Sequence, residues 1–108
     1  MWEIVFVNHL AEQEILALTP DLKAKFIRIT DLLLSYGHTN VGMPHVRFIE
    51  EKLWELRFKG KDNITRSIYT LLKGKRILIL HTFIKKTEKT PRAAIEIALN
   101  RLKEFKND

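Results

Sequence analysis

Residues 53–85 hold three strand-like segments joined by links of three or four residues, and that spacing leaves the chain few folds to choose from. The segments are Leu53–Lys59, Ile64–Leu72 and Arg76–Lys85. The links Gly60-Lys61-Asp62-Asn63 and Lys73-Gly74-Lys75 are hairpin-sized and made of turn residues. Strands connected so tightly pair antiparallel with their neighbours, which predicts a meander. Ile77-Leu78-Ile79-Leu80 is apolar on both faces, as a central strand is.

The remaining segments supply a first strand and three helices. Trp2–Val7 is apolar apart from Glu3 and rich in β-branched residues, so it reads as a strand rather than a signal peptide. Leu10 to Leu18 predicts a short helix with Leu10, Ile15 and Leu18 inward. Thr19-Pro20 then starts a second helix, with Thr as N-cap and Pro at the first helical position. Its apolar stripe is Leu22, Phe26, Ile29, Leu33 and Tyr36, and Gly37 stops it. The short link between these helices predicts an antiparallel hairpin. His38 to Val46 reads as a loop, and Val46 to Ile49 as a brief strand. Thr90-Pro91 repeats the start signal, opening a helix with Ile95, Ala98, Leu102 and Phe105 inward and an end near Lys106. The order β-α-α-(β)-β-β-β-α gives an α+β fold in one domain spanning all 108 residues. One twisted, mainly antiparallel sheet carries an N-terminal helical hairpin and a C-terminal helix on its apolar face.

Charge singles out the same region. Lys52 to Arg92 holds twelve Lys or Arg against three acids, whereas the first 51 residues hold four against seven. The net +6 therefore lies on the sheet, where basic side chains from neighbouring strands suit a polyanion. The chain has no cysteine, which excludes disulfides, thiolate metal sites and cysteine nucleophiles and fits a reducing cytoplasm. No apolar run reaches the roughly 20 residues of a membrane helix. The histidines have no metal-site spacing, the four glycines are isolated, and neither a metal nor a cofactor is expected.

Period-two alternation sorts the strand residues. Trp54, Leu56 and Phe58 share one face, and Glu55, Arg57 and Lys59 the other; Arg66 falls with Ile64, Ile68 and Thr70. His81, Phe83 and Lys85 share a face, with Lys86 at the strand exit. Such a group can cleave RNA without a metal. Preorganised cations can stabilise the developing charge, Arg57 and Arg66 can clamp a phosphate bidentately, and His81, or a lysine lowered by neighbouring cations such as Lys85 or Lys86, can move a proton. Tyr69 and Trp54 can stack a base, although core packing suits Trp54 better. Lys59, Lys61, Lys73, Lys75, Arg76 and Lys89 complete an RNA-binding surface. The plainer readings are an Arg57 ion pair with Glu55 or Glu51, a structural His81, and solvated lysines at hairpin ends.

Four ordered blocks, Leu53–Arg57, Arg66–Tyr69, His81–Thr87 and Lys89-Thr90-Pro91, give the chain a specific resemblance. It resembles the RelE/ParE-superfamily toxins of type II toxin–antitoxin systems, and within them the phage-derived HigB-like branch. The resemblance implies a RelE-like fold and a ribosome-associated, metal-independent mRNA endonuclease acting in the cytoplasm. Its partners are then mRNA, the ribosome and a cognate helix-turn-helix antitoxin, with operator DNA reached only through the antitoxin complex and no membrane partner. By the same resemblance Arg57, Arg66, Lys85 and Lys86 are functional positions, with His81 beside them. Many members of the superfamily place an acid–base Tyr or His near the last strand. This chain ends in a helix without such a Tyr, which leaves the proton-transfer group open. Two alternatives stand beside this reading: a gyrase-inhibiting ParE-like toxin and a basic RNA-binding module.

Overall fold

In the computed structural model, which describes residues 2–42, 44–61, 63–86 and 88–105, five strands form one open sheet. They are β1 (Glu3–Phe6), β2 (Val46–Glu50), β3 (Leu53–Lys59), β4 (Ile64–Leu72) and β5 (Arg76–Lys85), in the spatial order β1-β5-β4-β3-β2. Strands β2 to β5 pair antiparallel, and β1 joins β5 in parallel with Ile4 opposite Ile77. Among the described residues there are three α-helices, α1 (His9–Leu16), α2 (Pro20–Tyr36) and α3 (Arg92–Glu104), and a 3-10 turn at His38–Asn40. None of these helices is long and apolar enough to cross a membrane.

The sheet is covered on both faces, not on one. Leu22, Phe26, Ile29 and Leu33 of α2 pack on Leu56, Phe58, Tyr69, Ile77 and Ile79. On the other face Ala94, Ile95 and Ala98 of α3 meet Leu53, Ile68, Leu78 and Leu80. A strand between two covered faces is buried at consecutive positions, and β4 is buried from Ile64 through Thr70. Its hydroxyls are largely satisfied there: Ser67 bonds Thr82 at 2.8 Å, and Thr70 donates to the Lys52 carbonyl at 2.7 Å.

Helix phase and partners depart from the sequence expectation at four points. Asn8 caps α1 by accepting the Ala11 N–H at 2.9 Å, which turns Ala11 and Ile15 inward and leaves Leu10 61% exposed. The two N-terminal helices do not form a mutually packed hairpin: α1 lies mainly on β5 and β1, and α2 on β3, β1 and the 3-10 turn. Thr19 and Pro20 do open α2, and Gly37, at φ 83, closes it, but Tyr36 is exposed and the stripe ends at Leu33. At α3 the N-cap is Pro91, not Thr90, because the Thr90 hydroxyl donates to Glu55 instead, at 2.6 Å. Lys106, where the sequence puts the helix end, lies outside the described residues.

Beside β3 and β4 sits a small aromatic group. The His38 ring meets Trp54 edge-on at 4.4 Å, and its Nδ1 is 2.8 Å from the buried Tyr69 hydroxyl. Phe48 also meets Trp54 edge-on, at 5.0 Å. Trp54 and Tyr69 are thus committed to packing, not to a base-stacking platform. Burial lowers the pKa of His38 below the ordinary 6.5 and pushes the Tyr69 phenol up. The unfolded chain therefore takes up a proton near pH 6.5 that the folded chain refuses until lower pH, so stability falls as pH drops below about 6.5. Urea unfolding is expected to give a lower midpoint at pH 5.5 than at pH 7.5. The difference shrinks in His38→Asn, and Tyr69→Phe destabilises by about 1–3 kcal/mol, because it leaves the imidazole without its partner.

Candidate functional site

The register of β3 and β4 sets Arg57 directly opposite Arg66, and that of β4 and β5 sets Arg66 opposite Phe83. Arg66 is fully buried. Desolvation first, and the Arg57 charge second, lower its guanidinium pKa, against a raising effect from Glu55 and Glu88. Its Nη1 donates to the Lys89 carbonyl at 2.8 Å, while Nε and Nη2 have no partner among the described residues. Arg57 donates from Nε to Glu55, from Nη1 to the Glu88 carboxylate at 3.0 Å, and from Nη2 to the Glu88 carbonyl. Glu55 is itself fully buried and also accepts the Thr90 hydroxyl. The segment carrying Glu88, Lys89 and Thr90 thus returns after β5 as a strap across both arginines.

On the open side of Arg57 lies a groove of about 870 Å³ between α2 and the β2–β3 edge. Lys25, Arg28, Arg47, Arg57 and Lys59 line it, with His45, and Glu88 is its one carboxylate among the described residues. Arg57 is held by Glu55 and Glu88, and Lys25 donates to the Lys59 carbonyl at 2.6 Å beside Asp21 at 3.6 Å. Arg28, Arg47 and the Lys59 ammonium make no hydrogen bond or ion pair among the described residues. Three uncommitted cations around a trough with an apolar floor of Ile29, Leu32 and Phe58 make this surface electropositive.

His81 lies on the same sheet face as Arg66 but in a different environment. A bulge in β5 shifts the register, with Ile68 opposite His81 and Tyr69 opposite Ile79. The bulge lets His81 follow Leu80 onto the α3 side of the sheet. There Nδ1 is 3.1 Å from both Glu14 carboxylate oxygens. Arg101 of α3 forks onto the same carboxylate at 2.9 Å twice and donates to the Leu80 carbonyl. The Thr82 N–H adds a bond to Glu14 at 3.0 Å. Phe83 stacks on the His81 ring and lies opposite Arg66 in the sheet. Burial pushes the Glu14 carboxyl up, but hydrogen bonds from His81, Arg101 and Thr82 outweigh it and hold the group at about 2.

The cations named from sequence divide between two ends of the sheet. Lys59 faces Ile64, which faces Lys85, so both lie with Arg57 and Arg66 at the end of the 60–63 turn, where Lys61 also lies. Lys86 is exposed at the exit of β5, and Lys89 sits in the strap. Lys73, Lys75 and Arg76 occupy the opposite turn, with Arg76 donating to the Lys73 carbonyl. The length of β4 separates the two groups by roughly 27 Å. Sequence reasoning missed Lys25, Arg28, His45 and Arg47. Lys25 and Arg28 are spaced i, i+3, which places them on one side of α2, but the acidic balance of the first 51 residues obscured them. Among the described residues no three His, Asp or Glu side chains are placed to hold a metal.

The chain belongs to the family described as phage derived protein Gp49-like (DUF891), whose model matches residues 13–103. No curated protein matches it.

The Glu14 network makes a separate prediction. A carboxyl held at about 2 instead of 4.5 stabilises the fold above pH 4.5, and that stability is lost as pH falls from about 4.5 towards 2. Acid unfolding followed by circular dichroism should lose much of its slope in that window in Glu14→Gln. Arg101→Ala, which leaves the carboxylate with fewer donors, should cost about 3 kcal/mol at neutral pH.

Proposed function

We propose that this protein is the toxin of a type II toxin–antitoxin pair and cleaves mRNA on the ribosome without a metal. The observation that carries the reading is the cross-strand pair Arg57–Arg66 at the wall of a groove with three uncommitted cations. Membership of a phage-derived family agrees with a toxin-type protein. Cleavage by the neighbouring 2′-hydroxyl passes through a pentacoordinate phosphorane whose extra charge needs fixed donors. Glu55 holds Arg57 from the Nε side, which leaves Nη1 and Nη2 turned to the surface residue Glu88. A phosphate that displaces Glu88 meets two parallel donors. Arg66 adds buried positive charge behind Arg57. Arg28, Arg47 and Lys59 track the flanking phosphates, and Lys85 and Lys86 extend the same end. His81, committed to Glu14 and Arg101, orients β5 against α1 and α3 in this reading. The antitoxin is a helix-turn-helix protein whose acidic segment fills the groove, and operator DNA is bound only through it. The toxin works in the cytoplasm.

Expression of the wild-type chain is expected to arrest growth, with discrete, translation-dependent cuts seen by primer extension on cellular mRNA. Arg57→Ala restores growth at unchanged protein level. Intact mRNA with DNA damage supports a gyrase inhibitor instead, and RNA binding without arrest supports a simple binding module. Arg47→Glu and Arg28→Glu should each weaken single-stranded RNA binding and lower the log–log salt slope by about 0.7 for every phosphate no longer neutralised. Lys73→Glu and Lys75→Glu, at the far end, leave both unchanged.

A further inference from the structure

We infer that His45 is the group that removes the 2′-hydroxyl proton in this site, an assignment that rests on the endonuclease reading. Proton transfer needs a side chain that gains and loses a proton near neutral pH, and among the four histidines only His45 lines the groove. His9 stands exposed at the start of α1 beside Glu12, His38 is buried against Tyr69, and His81 is tied to Glu14 and Arg101. Neither tyrosine lines the groove, and Tyr69 is fully buried.

The backbone of His45 is fixed although its side chain is open to solvent. Its N–H donates to the Gly42 carbonyl at 3.1 Å, and its carbonyl accepts the Arg57 N–H at 2.8 Å. Val46 pairs with Leu56, so His45 is one step further along the ladder, beside Arg57. His45 and Arg57, the residue that receives the phosphate, are therefore neighbours across the ladder and line the same groove. The charged residues that line this groove with it are Lys25 and Arg28 from α2, Arg47 from β2, Arg57 and Lys59 from β3, and Glu88 from the strap. None of the carboxylates that anchor the other histidines reaches it.

The step balances without a co-reactant other than solvent. The imidazole takes the 2′-hydroxyl proton as the O2′–P bond forms and the P–O5′ bond breaks. The departing 5′-oxygen takes a proton from water, and His45 returns its own to solvent. The products are a 2′,3′-cyclic phosphate and a 5′-hydroxyl, with nothing oxidised or reduced.

The test uses the full chain with 70S ribosomes programmed with a defined mRNA, and a fluorescein-labelled single-stranded RNA for binding. His45→Gln should slow cleavage about 100-fold or more while RNA affinity stays within about threefold. His45→Ala should regain part of its rate when free imidazole is added. Wild-type cleavage matched by His45→Gln overturns this assignment and leaves the endonuclease reading standing. Loss of RNA affinity in His45→Gln equal to the loss of rate also overturns it, since His45 then binds instead of transferring a proton. No cleavage by the wild type, on or off the ribosome, removes both.

Discussion

Two guanidiniums directly opposite one another on a covered sheet face are the constraint around which this molecule is arranged. Arg57 and Arg66 repel, and Arg66 is wholly out of water. A buried, unpaired cation of this kind is costly, and it survives only where surrounding groups neutralise it. The neutralising groups come from three directions: Glu55 within β3, the Glu88 carboxylate and carbonyl, and the Lys89 carbonyl. Two of the three belong to the strap, so the pair fixes the path of the chain between β5 and α3. It also explains why Thr90 abandons the helix cap, since its hydroxyl is drawn to Glu55.

The compensation is incomplete, and that is what makes the site chemically interesting. Arg66 keeps Nε and Nη2 without partners among the described residues, and the Glu88 side chain that occupies Arg57 lies at the surface. The groove beside them adds Arg28, Arg47 and Lys59, which have no acid partner among the described residues. A second ionic centre, Glu14 with His81 and Arg101, ties α1, β5 and α3 together on the same face. Both centres join a carboxylate to an arginine, Glu55 fully buried and Glu14 half-buried. They differ in that Arg101 is consumed by its carboxylate, whereas the Arg57–Arg66 pair holds two donors without a partner among the described residues.

Much of the sheet was legible because alternation and turn chemistry are local. The limits of β3, β4 and β5 match the sequence segments, and Arg57, Glu55 and Lys59 share a face as the period of two requires. The separation of Lys73, Lys75 and Arg76 from Lys59 and Lys61 also follows from a meander, because successive hairpins lie at opposite ends; the charge count alone merged them. Other features depend on distant residues. The β5 bulge that turns His81 towards Glu14 has no signal of its own in ILILHTF, and Glu14 is remote from His81 in the chain. The parallel pairing of β1, and with it cover on both faces, is likewise a long-range choice. Lys25, Arg28 and Arg47 join the groove only because α2 and β2 flank the same strand.

The central claim is that polyanion binding belongs to the end of the sheet where Arg57 faces Arg66. Titration of the isotopically labelled protein with a short single-stranded RNA, followed by amide and side-chain NMR shifts, tests it most directly. The account predicts saturable shifts at Arg28, His45, Arg47, Arg57 and Lys59, with Lys73, Lys75 and Arg76 unmoved. Shifts concentrated at the 73–76 turn, or spread evenly over every basic residue, would contradict it.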